Sequence, residues 1–441
     1  MSYVEFFDFA YLNIDKFILF TLLILVVLYF PLRNFAVGGL LDPFHFTFTF
    51  TYATSYSVVV ILFMDGYVSN YHFMMIFLYA ILFVSSLYIF QTVRLTRIVG
   101  DVYRTLIPKN TERIYVNLIV ILYIILVSLV MKSKGFSLFT DINRFEDNRG
   151  IGPLVKFLNL LTYFLVAFIS IKLYELRRRR FFYVRMFFFV AFILFNSILG
   201  GAKSAVLFYV MASVLSVSVY SNEFKISLVK FVLVISLSVI FVFVVLAFNF
   251  SAVIDLSTGN TQVLIEALSR RFMDRILSNG DSYYMGLPYN VIEEVELNNV
   301  LVVFFTPLIS NTIMSKLAGF DVALYDLGKQ FLINLYPDMT RAGGPTDHFD
   351  LFAYKYFGVL LGGFFVSFLA FWLCQIRKIL IESFGGSYKS AVSVVLWISS
   401  LTILLKPGMI LGDLMIFLFL FMFIKSFGDL ISSICVEKLN I

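Results

Sequence analysis

Blocks of about twenty apolar residues recur along almost the whole chain, each long enough to cross a hydrocarbon layer roughly 30 Å thick as a helix. That repetition limits the fold more than any motif does. Of the 441 residues 60% are hydrophobic and only 14% charged, where a soluble globular chain carries roughly 25% charged residues. With a mean hydropathy of +0.92, the pattern excludes a disordered chain and a water-soluble enzyme. It also excludes an outer-membrane barrel, whose strands would read as shorter alternating segments. The opening residues 1–16 lack the basic start and small-residue cleavage site of a removable signal peptide, so insertion is expected to use the mature helices.

Apolar runs place spans at about 17–31, 46–64, 71–90, 114–131, 153–173, 181–199, 204–220, 228–250, 351–374, 390–405 and 411–427. The expected architecture is all-α, a polytopic membrane protein forming a single transmembrane helical domain over residues 1–441, with about eleven spans, between about ten and thirteen. Arg94, Arg97, Arg104, Lys109 and Arg113 fill one short loop, and Lys172, Arg177, Arg178, Arg179, Arg180 and Arg185 cluster at the next boundary on the same side. Both boundaries are expected in the cytoplasm, as is the C-terminus. Odd parity places the N-terminus outside, unless residues 4–14 form an uncounted interfacial or partial helix. The formal charge of +6 reflects cytoplasmic anchoring residues meeting anionic headgroups and gives no reason to expect nucleic acid.

Two segments on the opposite face are too long to be turns. A smaller external loop covers 132–152 and a large one 251–350. The large loop holds six basic and twelve acidic residues, a balance compatible with export. Apolar stretches within it, such as 300–309, predict short helices lying on or dipping into the membrane surface. No internal repeat is evident, and the long loop belongs to the C-terminal half alone, which counts against a transporter built from two similar halves.

Neither a phosphate loop of the GxxxxGKS/T type nor a GxGxxG motif occurs, so no nucleotide cofactor is expected. Cys374 and Cys435 offer no disulfide framework, and His45, His72 and His348 have no metal-binding spacing, so no metal is expected. The candidate chemistry lies on the external face. Arg270, Arg271 and Arg275 fall within six residues, and on a helix Arg271 and Arg275 share a face, where two planar guanidinium forks can converge on one phosphate or pyrophosphate. The competing reading pairs them with Asp274 and nearby carboxylates. Lys203, beside Gly200 and Gly201 in a turn with almost no polar loop, either meets an anionic headgroup or snorkels outward. Asp347, His348 and Asp350 form the richest polar cluster at a membrane boundary and supply bases for a sugar hydroxyl, although Asp347 also suits a cap for the helix that follows. Arg149, with Arg144, Glu146 and Asp147, lies in the smaller loop; such alternating charge usually marks a solvated surface.

These residues resemble the Wzy-type polymerases of O-antigen and related bacterial surface polysaccharides. The resemblance rests on the organisation of the chain and on short motifs. The pair Arg270 and Arg271 precedes an apolar stretch and Tyr283–Tyr284, and Gly286 stands eleven positions after Arg275. The Gly-Gly-Ala-Lys turn at 200–203 and the polar-to-apolar run from His348 through Gly358 are also similar. The smaller loop with Arg144 and Arg149 resembles the family's other arginine-bearing loop, without the same spacing to a glycine. The resemblance implies a metal-independent glycosyltransferase of the GT-C type in the bacterial inner membrane, with its active site facing the periplasm and a role in lipopolysaccharide biosynthesis. Donor and acceptor would be oligosaccharide repeats on undecaprenyl pyrophosphate. Arg270, Arg271 and Arg275 would grip the pyrophosphate with help from Lys203 and Arg149, His348 or Asp350 would act as base, and Tyr283 and Tyr284 would stack on sugars. A chain-length regulator is the implied protein partner. An O-antigen ligase and a lipid-linked oligosaccharide flippase are the alternatives.

Overall fold

A backbone in hydrocarbon has no water to bond to, so long apolar runs must satisfy their amides internally, as helices. The computed structural model describes residues 1–108, 112–134, 151–200, 205–221, 261–338 and 343–439, and among them there are helices and turns and no strand. In chain order the principal helices are α1 (Tyr3–Leu12), α2 (Ile14–Leu32), α3 (Thr51–Met64, preceded by a π-helical turn His45–Phe50), α4 (Asn70–Phe90), α5 (Arg97–Leu106) and α6 (Glu112–Lys134). They continue as α7 (Gly152–Glu175), α8 (Phe182–Gly200), α9 (Ala205–Ser221), α10 (Thr261–Leu277), α11 (Asp281–Gly286) and α12 (Val300–Ile309). The last are α13 (Asn311–Ala318), α14 (Leu327–Leu335), α15 (Phe349–Glu382), α16 (Ser387–Leu401) and α17 (Ile410–Leu439).

Nine helices among the described residues are long and apolar enough to cross a membrane, and the protein is a polytopic helical membrane protein. The segment expected at 204–220 is the shorter apolar helix Ala205–Ser221. The span expected at 228–250 lies outside the described residues, as do 135–150 of the smaller loop and 251–260 of the large one. The apolar stretch 300–309 is helical, as expected of a large loop with short helices.

The chain divides into two compact units. One comprises Met1–Leu82, Lys225–Asn298 and Ala323–Phe365; the other comprises Phe83–Phe224, Asn299–Val322 and Val366–Ile441. The second unit is bound internally by polar contacts between apolar helices. Asn196 of α8 accepts from Tyr123 of α6 (2.9 Å) and from Thr162 of α7 (3.2 Å), and its own amide donates to the Phe192 carbonyl. Lys156 of α7 pairs with Asp413 of α17 at 2.8 Å.

In the first unit, residues 4–14 are not the start of a span. Ser2 and Glu5 cap a separate helix reciprocally, with Ser2 N–H donating to the Glu5 carboxylate (2.8 Å) and Glu5 N–H to the Ser2 hydroxyl. Helix α1 packs on residues of the large loop: Phe6 stacks on Tyr284 at 3.9 Å, and the Tyr3 amide donates to Tyr336. The N-terminal helix thus lies on the same side as that loop. Helix α2 turns Leu19, Leu22, Leu23 and Val26 outward, whereas the His45–Met64 span is largely enclosed, with Thr21 of α2 donating to Ser57 of α3.

The span expected at 351–374 is interrupted by a hairpin in its first half. At Gly358 the backbone takes φ 68° and ψ −175°, a conformation that favours glycine. The chain then folds back, so that the Phe365 ring lies 4.8 Å from Phe357 and 5.7 Å from Phe352. In an unbroken helix residues 352 and 365 would be about 20 Å apart along the axis. The Tyr79 hydroxyl lies 2.9 Å from both the Gly358 and Val359 carbonyl oxygens and supplies a donor where the break releases acceptors. Gly362 closes the hairpin, because a Cβ there would stand 2.7 Å from the Ala353 carbonyl oxygen and would also strike the Tyr79 hydroxyl.

Replacing Gly362 by Val should therefore force the hairpin open and cost about 1–3 kcal/mol. Tyr79→Phe should cost about 1 kcal/mol. Thermal unfolding of the detergent-solubilised protein checks both, and an unchanged Gly362→Val melting curve would contradict the close approach.

Candidate functional site

Helix α10 brings the arginine cluster to the surface of the first unit. Arg270, Arg271 and Arg275 are all exposed, and Arg271 and Arg275 stand four residues apart on one face. The Arg270 guanidinium lies 5.0 Å from the centre of the Tyr11 ring, within cation–π range. Tyr11 also donates to Asp274 at 2.7 Å and contacts the Arg270 carbonyl at 3.1 Å. Burial, and then the hydrogen bond to Asp274, push the Tyr11 pKa up, so the hydroxyl stays a donor. Asp274 is thus engaged by α1, which pins the arginine helix from the side.

Beyond Leu277 the chain enters a tight turn, Ser278–Gly280, against the second span. A Cβ at Gly280 would stand 2.7 Å from the Val58 side chain, so only glycine permits this approach. Asn279 is held from both ends: its amide donates to Thr54 (3.0 Å) and its carbonyl accepts from the Ser55 hydroxyl (2.7 Å). Helix α11 follows and carries Ser282, Tyr283 and Tyr284. The Ser282 hydroxyl donates to the Thr346 carbonyl, which ties α11 to the irregular segment 343–347. Gly286 presses on the Phe331 ring of α14, where a Cβ would come within 2.6 Å.

The centre of this arrangement is the Asp350 carboxylate. The Tyr283 hydroxyl lies 2.8 Å from each of its oxygens, Tyr56 donates to Oδ2 at 3.0 Å, and the Leu351 amide donates to Oδ1 at 2.8 Å. Tyr56 lies eight residues before the end of α3, about 12 Å along the helix axis. His348 stands beside this group, its ring 4.8 Å from Tyr283 and 5.2 Å, edge-on, from Tyr52. His348 Nε2 is 3.0 Å from the Asn279 carbonyl and 3.1 Å from the Thr346 hydroxyl. A carbonyl only accepts, so Nε2 carries the hydrogen and Nδ1 presents its lone pair. Nδ1 is buried and has no hydrogen-bond partner among the described residues. Burial lowers the His348 pKa to about 4, more than the Asn279 carbonyl restores, and the ring is neutral near pH 7. His348 also adopts φ 48°, a left-handed conformation held by these contacts.

The structure therefore brings Tyr283, His348 and Asp350 into one buried cluster. Arg270, Arg271 and Arg275 stand on the helix that leads into it. Tyr284 stacks on Phe6, and both tyrosine rings, Tyr283 and Tyr284, are covered by protein, with 0% and 1% exposure. Lys203 and Arg149 lie outside the described residues. The Asp347 Oδ1 accepts from the Gly328 amide (3.0 Å), at the first turn of α14.

Sequence reasoning missed Tyr52, Thr54, Ser55, Tyr56 and Asn279. The available signal was the unusual content of the second span, whose run Thr47–Ser57 has Thr, Ser or Tyr at eight of its eleven positions. Polar side chains inside a span turn toward protein partners. A second polar group was also missed: His72 Nε2 contacts Glu293 at 3.0 Å, Nδ1 contacts the Ser69 hydroxyl, and Tyr354 donates to the same carboxylate. Burial works against the Glu293 charge, but the hydrogen bonds from Tyr354 and His72 outweigh it and hold the pKa below the usual carboxylate range.

Asp350→Ala leaves two tyrosine hydroxyls and an amide without their acceptor and should destabilise the protein by about 3 kcal/mol or more. Tyr56→Phe and Tyr283→Phe should each cost about 1–2 kcal/mol, read by detergent thermal unfolding. His348 sets an acid limit. Its pKa is lowered on folding, so between about pH 6.5 and pH 4 the unfolded chain holds a proton that the folded one lacks, and stability falls as pH falls. The loss approaches about 3 kcal/mol at the low end. His348→Gln should flatten the melting temperature across that window relative to wild type; parallel pH profiles would contradict it.

In comparisons with known proteins, no family model, no curated protein and no solved structure matches this chain.

Proposed function

We propose that the protein polymerises undecaprenyl-pyrophosphate-linked oligosaccharide repeats into O-antigen or a similar surface polysaccharide, at the periplasmic face of the bacterial inner membrane. The observation that carries this reading is the placement of three exposed arginines on α10, the helix that runs directly into the buried Tyr283–His348–Asp350 cluster. A surface of fixed cations beside enclosed acid–base groups suits transfer from a lipid pyrophosphate, and the sequence resemblance supplies the substrate class.

In the proposed step an acceptor hydroxyl oxygen attacks the anomeric carbon of the growing chain. The bond from that carbon to the pyrophosphate oxygen breaks, and undecaprenyl pyrophosphate leaves with the bonding electrons. Arg271 and Arg275 meet the charge that develops on the leaving group, with Arg270, Lys203 and Arg149 assisting. The acceptor proton passes to His348 Nδ1 or to the Asp350 carboxylate, both enclosed in the described conformation, so this step requires the cluster to be uncovered to the acceptor. Tyr283 and Tyr284 are covered in the described conformation, so stacking on sugars would require their rings to be uncovered. The partner is the lipid-linked oligosaccharide itself, with a chain-length regulator as the proposed protein partner.

Purified protein given lipid-linked repeats of its own strain, with a chelator and no nucleotide, should produce a ladder spaced by one repeat. Arg271→Ala should lower its rate about 100-fold while leaving the melting temperature within about 1 °C. Intact repeats with folded protein would defeat the polymerase reading. Wild-type ladders from Arg271→Ala would remove that arginine's role.

A further inference from the structure

A cavity of about 640 Å³ lies wholly within the second unit, at the boundary that the charge rule assigns to the cytoplasm. It is formed by the residues after α4, the amphipathic helix α5 and the last turns of α15. Its walls carry five cations, Arg94, Arg97, Arg104, Arg377 and Lys378, against one carboxylate, Glu382. The framework is fixed by buried side chains. Gln375, fully buried, accepts from the Thr96 amide (2.8 Å) and donates to the Arg94 carbonyl (3.5 Å). Tyr103 donates to the Lys389 carbonyl (2.9 Å) and contacts the Ser383 hydroxyl (3.0 Å). One face of α5, Gly100, Tyr103 and Leu106, is thereby buried against the unit.

The opposite face explains what the cavity is shaped to receive. Asp101 lies between Arg97 (3.6 Å) and Arg104 (3.1 Å), spacing two guanidinium groups along the rim. Four residues apart on the same helix, Ile98 and Val102 are 79% and 43% exposed, and Ile381 in the cavity wall is 46% exposed. Cations around the opening and uncovered aliphatic side chains beside them match a ligand with an anionic head and a hydrocarbon tail. Asp101 offsets part of this charge at Arg97 and Arg104, and the positive excess that is left attracts an anion, for which arginine forks suit phosphate oxygens.

We infer that this cavity is a binding site for the phosphate headgroup of an anionic phospholipid of the cytoplasmic leaflet. The site is independent of the proposed glycosyl transfer and needs none of its residues. The headgroup phosphodiester lies among Arg94, Arg104 and Lys378, and the acyl chains leave past Ile98 and Ile381.

The test uses the full chain, reconstituted in bilayer discs of phosphatidylcholine with phosphatidylglycerol, released into detergent and examined by native mass spectrometry. Wild type should retain phosphatidylglycerol in preference to phosphatidylcholine. Arg94→Gln/Lys378→Gln should lower that retention roughly ten-fold or more, with unchanged elution and melting temperature; Lys378→Glu alone is the second variant should the double one misfold. Arg178→Gln/Arg179→Gln, which removes exposed cations elsewhere on the cytoplasmic boundary, should leave retention as in wild type. Equal retention by the cavity variants overturns the site. An equal loss in the Arg178/Arg179 control overturns it too, since general surface charge would then suffice. A lipid-free arm adds inorganic phosphate: stabilisation of wild type by millimolar phosphate, with no preference for phosphatidylglycerol in the discs, overturns the lipid assignment in favour of a free anion.

Discussion

The carboxylate of Asp350 is the junction on which the first unit depends. Tyr56 comes from the second span, Tyr283 from the large loop and Leu351 from the opening turn of α15, and all three direct hydrogens to this one group. A carboxylate accepts several hydrogen bonds with little constraint on direction, so it can join helices that meet at unrelated angles. In a protein interior each of these bonds is stronger than in water, and the loss of the common acceptor would strand every donor at once. The ring of His348 is held beside Tyr283 separately, by the Asn279 carbonyl and the Thr346 hydroxyl.

Steric fits allow the segments to reach that junction. Gly280 brings the loop backbone against Val58, Gly286 brings α11 against Phe331, and Gly362 lets the hairpin close on Ala353. Helix α1 then covers the outer side through Phe6 and Tyr11. The arginine helix is thus mounted on a rigid base while its charged face stays in contact with solvent, a combination suited to holding a charged ligand in one orientation.

Much of this was legible from residue order. Span positions follow from hydropathy because a lipid environment permits few backbone conformations. Tyr283, His348 and Asp350 were recognisable as polar groups at a membrane boundary, and the arginines as a helical face. Tyr52 and Tyr56 were not, since a tyrosine in an apolar run reads as one more hydrophobic residue until its hydroxyl finds a partner. Gly358 escaped for a related reason: glycine is frequent in membrane helices, and nothing local distinguishes one that continues a helix from one that reverses it. The bond from the Gly328 amide to Asp347, nineteen positions later, was likewise invisible, because local sequence reports only local bonding.

The distance along the chain between Tyr56 and Asp350 also governs how the protein can be made. The two residues are 294 positions apart, and a ribosome adding about 5–20 residues per second needs roughly 15–60 s to travel that far. Throughout that interval the second span, with its Thr, Ser and Tyr hydroxyls, is in the membrane without the groups that finally satisfy it. Thr51, Thr54 and Ser57 hydroxyls bond back to carbonyls of their own helix, which makes the nascent span tolerable to lipid on its own. The Tyr56 hydroxyl finds its partner in Asp350. The second span therefore reaches its final bonding only after α15 has been made, so this part of the first unit cannot be completed before the last quarter of the chain is in place.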